Sequence, residues 1–293
     1  SWRDDEYGGD SNGDGAGSLP NVRDWDGITY TNPANVMHDA IVRYGGEDDD
    51  NPGNGAIVAV SGSGAGTFEM RDCVVEYGYW RGVRAESEPS AWVHNNVIRG
   101  VRYGIQGSLA KVEGNSFDDC DKWAVYLTGS PTVQGNTIFN GKNGIYVGGG
   151  TVRNNVISGG TGMGIEVEEG AVTVKGNEIS DMGGWGLYMS GWRETTVTGN
   201  DLSSSRYPIY QGMRVPTYSD NALSGHTNKV IGVGGTAGKD LSWSTTVQEW
   251  SYPRLVERHI TVPSGVTLDI EGGVVVKFRS NLGLTVDGVL GLQ

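Results

Sequence analysis

Cysteine is almost missing from this chain, with 2 among 293 residues, which rules out a disulfide scaffold. Basic residues are also short: 22 Lys and Arg stand against 35 Asp and Glu, for a net charge of −13. Nucleic acid and anionic membrane surfaces both recruit Lys and Arg, so neither is an expected partner. No apolar stretch reaches the ~18 residues that a membrane-spanning helix needs. The opening Ser1-Trp2-Arg3-Asp4-Asp5 has no signal-peptide character and reads as the trimmed edge of a longer chain. Histidine is confined to His38, His94, His226 and His259, each read as a turn or surface residue. No Ser/His/Asp constellation and no phosphate-cradling glycine loop is present.

Glycine, by contrast, is abundant, at 49 residues against a usual ~7% of a chain. It follows no Gly-X-Y period, and Trp, Tyr and Val recur throughout, so neither collagen nor disorder fits. One short pattern recurs instead. It reads Asn95-Asn96-Val97-Ile98 with Gly104-Ile105, Gly114-Asn115-Ser116-Phe117 with Ala124-Val125, and Gly135-Asn136-Thr137-Ile138 with Gly144-Ile145. It continues as Asn154-Asn155-Val156-Ile157 with Gly164-Ile165, Gly176-Asn177-Glu178-Ile179 with Gly186-Leu187, and Gly199-Asn200-Asp201-Leu202 with Pro208-Ile209. A weaker copy, Asp72-Cys73-Val74 with Gly82-Val83, puts Asp72 in the asparagine's place.

The asparagines step by 19, 21, 19, 22 and 23 residues. That is too short for helical solenoids, whose units need ~33 residues or more. Each unit holds three short β-type pieces separated by Gly, Asn and Ser. Three strands in about 21 residues let the chain climb one rung per repeat, each strand pairing ~4.8 Å above its own copy. The expected fold is all-β, a parallel β-helix. Its Ile, Val, Leu and Phe stack inward, while Asn96, Asn115, Asn136, Asn155, Asn177 and Asn200 form a structural amide ladder at a bend rather than a ligand row.

This Asn-x-Ile…Gly-Ile recurrence resembles the right-handed parallel β-helix superfamily, in particular the pectate-lyase-like repeats of secreted bacterial surface proteins. The resemblance covers roughly residues 20–232 and implies right-handed coils and an extracellular or cell-surface location. It leaves activity open. The expected organisation is an acidic N-terminal segment over 1–19, some ten coils over 20–232, and a C-terminal β segment over 233–293. In the family, segments like that last one open a further module.

The first fifty residues carry 12 acidic side chains and 3 arginines. Within them Asp10, Asn12 and Asp14 alternate with Gly13 and Gly15, like the first half of a calcium loop. The twelfth position of an EF-hand would fall on Asn21, so remaining carboxylates must come from Asp4, Asp5, Asp24 or Asp26. Calcium is the expected ion. The run Glu47-Asp48-Asp49-Asp50 reads as an exposed loop, with a second metal site as the alternative. Residues 241–293 read as coils with an open edge, expected to dock on the N-terminal segment of another copy, a heterologous contact that propagates into a filament.

An enzyme of acidic polysaccharides is the competing reading. Its best cluster is Asp118-Asp119-Cys120-Asp121-Lys122, where carboxylates and a lysine would serve acid–base chemistry. Those acids align with Arg99-Gly100, Phe139-Asn140 and Ser158-Gly159 of other repeats, a variable turn, so no catalytic residue is assigned. Tyr77, Tyr79, Trp80, Tyr103, Trp123 and Trp185 recur near the turn and form either a cover for the core edge or a ladder for glycans. Tyr146, Tyr188 and Tyr210 are expected to point outward. Cys73 and Cys120 lie two rungs apart, beyond disulfide reach, and are expected to be free.

Overall fold

The computed structural model describes residues 1, 3–7, 9–46, 55–61, 66–168, 170–191, 193–214, 216–248 and 250–293, the side chains of 87–89 excepted. The acidic run at 47–50 lies outside the described residues. All described regular structure is β, and every strand-to-strand pairing is parallel, as a right-handed parallel β-helix requires. Two compact units, 1–146 and 147–293, divide the chain.

In the first unit three apolar columns climb the stack. One runs Val83, Ile105, Val125; a second Val75, Ile98, Phe117, Ile138; a third Met37, Met70, Val93, Val112, Val133. All are buried. Between Arg81 and Leu127 the strands lengthen and wrap the corners, as Arg81–His94, Val97–Glu113 and Ser116–Leu127. Three separate strands per coil are thus not kept there, because register shifts let pairing continue around the bend.

The second unit repeats the scheme with Val152, Val174, Val197; Ile157, Ile179, Leu202, Leu223; and Ile165, Leu187, Ile209, Ile231. Strand Ile231–Thr236 then pairs with Arg254–Val262, which carries both Val276–Phe278 and Leu284–Val286. Leu241–Trp243, Thr267–Ile270 and Val289–Leu292 form a separate three-stranded sheet. Trp243, Val256, Ile260 and Leu268 fill the core between them.

Two left-handed residues punctuate each coil. One precedes the asparagine (Asn95, Gly114, Gly135, Asn154, Gly176, Gly199), and the other follows it by four (Gly100, Asp119, Asn140, Gly159, Asp181, Ser204). Gly, Asn and Asp tolerate that backbone best. The glycine of the Gly-Ile pair has a different duty. A Cβ on Gly104 would strike the Phe117 ring and the Ala124 carbonyl, and one on Gly164 would strike Ile179 and the Gly186 carbonyl. It keeps room for the large apolar side chain of the following strand rather than making a turn.

Candidate functional site

The inward asparagines form two polarised ladders, one in each unit. Asn96 donates its amide to Asn115 Oδ1 at 2.9 Å, and Asn115 to Asn136 Oδ1 at 3.0 Å. In the second unit Asn155, Asn177 and Asn200 each donate to the next, and Asn200 reaches Asn221 at 2.8 Å. The same oxygen also accepts the backbone N–H of the preceding asparagine. Every rung is therefore saturated and closed to an external ligand.

Both ladders run further than the repeat pattern indicates. Asn221 was missed, although Asn221-Ala222-Leu223 with Gly225 carries a recognisable copy 21 residues after Asn200. Gln248 ends that ladder: its Oε1 accepts the Asn221 amide at 3.0 Å and its Nε2 donates to the Asn221 carbonyl at 3.0 Å. At the other end Cys73, not Asp72, holds the asparagine position. Its N–H donates to Asn96 Oδ1 at 2.9 Å, while Asp72 takes the left-handed position before it. Cys73 and Cys120 are both free and buried, and Cys120 sits in a strand rather than a turn.

The N-terminal segment divides its carboxylates between two tasks. Asp5, Asp10 and Asp14 bring ligand oxygens within 4.8 Å of one another. Gly15 and Asp14 donate backbone N–H groups to Asp10, and the Asn12 amide donates to Asp14 and Ser18. Desolvation, then the charges of Asp10, Asp14 and Asp4, raise the Asp5 carboxyl above its ordinary pKa. Asp5 Oδ1 is shut from solvent without a hydrogen-bond partner. Asp4 instead faces the buried Arg43 at 3.5 Å, which also holds Glu6 and Glu76 at 2.9 Å each. Asp24 accepts from Ser1 and from the Asn21 N–H, with Arg3 3.6 Å away; these outweigh its burial and lower its pKa.

The cluster at 118–122 is split by the strand that bears it. Asp119 and Asp121 line an open cleft of about 570 Å³ with Tyr77, Tyr79, Gly100 and Arg102. Asp118 turns away to accept from Asn140 at 3.2 Å, and Lys122 lies over the Trp80 ring at 5.1 Å. Arg102 pairs with Asp121 at 3.5 Å while stacking on Trp80 at 3.9 Å.

Aromatic rings stack from coil to coil in both units. Tyr126 lies 4.2 Å from Tyr146, Tyr188 4.4 Å from Tyr210, and Trp185 4.5 Å from Tyr207. Tyr146 and Tyr210, expected to point outward, are buried. Burial, then the charge of Glu168, pushes the nearby Glu166 carboxyl up to about 7 against the opposing pull of Arg258. His94 and His226 are not surface residues. His94 stacks on Trp92 at 3.9 Å and meets Glu69, and His226 contacts the Ser205 carbonyl.

The sequence model of one family, described as periplasmic copper-binding protein (NosD), matches residues 59–253, well over half of the chain. The chain belongs to the NosD family. No curated protein and no solved structure matches it. The likeness to pectate-lyase-like repeats holds at the level of the fold.

Copper asks for soft or imidazole donors gathered at one place. Every His, Cys and Met of this NosD-family chain is among the described residues; no three of its His and Cys donors come together, and Met37 and Met70 stack as register partners inside the core. His38 meets Asp39 and His259 accepts from the Gly283 N–H. Met37, Met70, Met182 and Met189 are core residues. Among the described residues the group of three His, Cys, Asp or Glu donors is all carboxylate, Asp5, Asp10 and Asp14. Such oxygens suit calcium, magnesium or manganese, so the donor set does not fit copper.

Proposed function

We propose that this NosD-family chain is an extracytoplasmic structural module that associates end to end through its coil edges, without catalysis of its own. The observation that carries this reading is the last coil. Val276–Phe278, Leu284–Val286 and Val289–Leu292 each pair on one side only among the described residues. Val275, Phe278, Val286, Val289 and Leu292 are exposed there, with Leu292 at 71%. An apolar face bordered by free strand edges invites another β-coil.

The first coil supplies a matching surface. Ile28–Tyr30, Val36–His38 and Ile41–Arg43 likewise pair on one side only among the described residues. Beside them a cavity of about 650 Å³ is lined by Trp25, Ile28, Met37, Ile41, Val42 and, from the N-terminal segment, Tyr7. Val36 and Ile41 are about half exposed. Three parallel edges at each site let a second copy of this chain continue the same coil geometry, a heterologous contact. Calcium held by Asp5, Asp10 and Asp14, with Asn12 beside them, would fix the segment that borders this cavity. The periplasmic location in the family's description suits a module working outside the cytoplasm. No helix of the described residues is long and apolar enough to cross a membrane.

Sedimentation of the whole chain tests this reading. Association that rises with concentration is expected, with a loss of at least tenfold in Leu292→Glu and a weaker loss on calcium chelation. A monomer at every concentration would overturn the association, and chelation without effect on assembly or Tm would overturn the calcium site. The cleft lined by Tyr77, Tyr79, Asp119 and Asp121 favours a second reading, binding or cleavage of a uronate polysaccharide. Unsaturated ends released from the polymer, read by ultraviolet absorbance, are its mark.

A further inference from the structure

Two ranks of outward side chains meet at the corner that follows the Gly-Ile strands of the first unit. Arg84, Gln106 and Tyr126 are register partners on three successive coils. Two residues further along each chain segment stand Glu86, Ser108 and Thr128. Side chains two apart on a strand share a face, and successive rungs lie ~4.8 Å apart, so the six make a small array. A register shift between residues 85 and 88 bends the lowest of the three segments here. Irregularities of that kind re-aim side chains.

The array borders space. Glu86, Gln106, Gly107, Ser108, Tyr126 and Thr128 line a cavity of about 340 Å³, within the ~300–1,000 Å³ usual for small-molecule sites. Its polar side chains are open to it: Gln106 and Ser108 are partly exposed, Glu86 and Thr128 fully so. Two arginines orient them from behind. Arg81, buried, donates from Nε to Gln106 Oε1. That bond fixes which end of the amide is the oxygen and leaves Nε2 as the end that can serve a ligand. Arg84 Nε lies 3.4 Å from Glu86 Oε1 and matches the one charged group that lines the cavity. Thr128 Oγ1 donates to the Gly107 carbonyl at 3.4 Å. Ser108 Oγ has no hydrogen-bond partner among the described residues. Tyr126 adds an aromatic ring, held in place by the Tyr146 ring 4.2 Å away.

We propose that this cavity binds a neutral sugar ring of a glycan, with Gln106 donating to one hydroxyl, Glu86 and Ser108 accepting from others, and Tyr126 meeting the apolar C–H groups. A sugar hydroxyl both donates and accepts, which suits a lining of amide, hydroxyl and carboxylate together. Its C–H groups suit an aromatic ring with a polar tip. An anion would face the Glu86 carboxylate, and a cation would have to displace Arg84 from it, so an uncharged polyhydroxyl ligand matches the lining. The site lies apart from the coil edges and shares no residue with the cleft at Asp119 and Asp121. It therefore stands whether or not the chain self-associates.

Cellohexaose, maltohexaose and mannohexaose are the probes, each titrated into the whole chain, with trigalacturonate as the acidic comparison. Calorimetry is expected to show saturable binding of at least one neutral hexaose, one per chain, that trigalacturonate does not displace. Gln106→Ala removes a partly exposed amide and is expected to lose at least tenfold in affinity for that hexaose. The side-chain amide resonances of Gln106 in the unaltered protein should move during the same titration, which decides the matter even if the variant fails to fold. Absence of saturable binding by all three hexaoses would overturn the proposal. So would binding that leaves the Gln106 resonances unmoved, a Gln106→Ala protein that binds like its parent, or displacement of the hexaose by trigalacturonate.

Discussion

Asn177→Ala is expected to destabilise the second unit by about 4 kcal/mol, read by chemical denaturation, since each buried polar group left unpaired costs roughly 1–3 kcal/mol. Asn177 is fully buried, and its Oδ1 accepts both the backbone N–H and the side-chain amide of Asn155. Its own amide donates to Asn200 Oδ1 at 2.9 Å and to the Val152 carbonyl at 3.0 Å. Alanine orphans two donors and one carbonyl, and leaves Asn200 Oδ1 with one donor fewer. A loss below about 1 kcal/mol would show that the ladder is ornamental rather than structural.

Asn177→Asp sharpens the test because it changes one group and keeps the shape. A carboxylate there would press against Asn200 Oδ1 and the Val152 and Lys175 carbonyls, all acceptors. Its folded pKa must then lie above the ordinary carboxylate value, since burial and acceptor neighbours favour the neutral acid. A raised folded pKa means the folded state binds the extra proton, so the variant loses stability as pH rises. It should be worse than alanine at pH 8 and recover part of the loss near pH 4. A loss independent of pH would contradict the placement of acceptors around the residue.

Arg43→Met is the second large effect, expected at about 3–5 kcal/mol, the range for removing one partner from a buried ion pair. Arg43 gathers Asp4, Glu6 and Glu76, and Glu76 is only 2% exposed. Arg99 remains on Glu76 at 2.5 Å, so that acid keeps one cation, while among the described residues Asp4 has an ion pair only with Arg43. The consequence is specific. The N-terminal segment should become sensitive to protease near residues 4–7 before the first unit unfolds. Denaturation midpoints unchanged by the substitution would show that this segment is held by other contacts.

The fold was legible because every coil obeys the same constraints. Two left-handed backbones per coil favour Gly, Asn, Asp or Ser at fixed offsets from an inward asparagine, although Tyr44 and Tyr77 take such a backbone in the earlier coils, and stacking sets large apolar residues above one another. The role of the Gly-Ile glycine was not legible, because the residue that crowds it, Phe117 over Gly104 or Ile179 over Gly164, arrives more than a dozen residues later. Cys73 escaped because it keeps the asparagine's backbone bond while losing its side chain, so only register reveals it.

The sites were less legible for a related reason: their partners are far apart in sequence. Arg43 meets residues 4, 6 and 76, and nothing local to Arg43 announces them. Gln106 looks like an ordinary polar residue in an alternating strand, Val97–Glu113, until coil stacking sets it between Arg84 and Tyr126. The short acidic pattern of Asp10, Asn12 and Asp14 was visible because its spacing is local. The assignment of Asp4 to Arg43 rather than to that cluster was not.

Electron microscopy of the whole chain at high concentration with calcium tests the end-to-end association most directly. Ordered particles that lengthen with concentration are predicted, one coil edge adding to the next, and Leu292→Glu should reduce them to single copies. Single particles under every condition, or long particles unaffected by that charge, would contradict it.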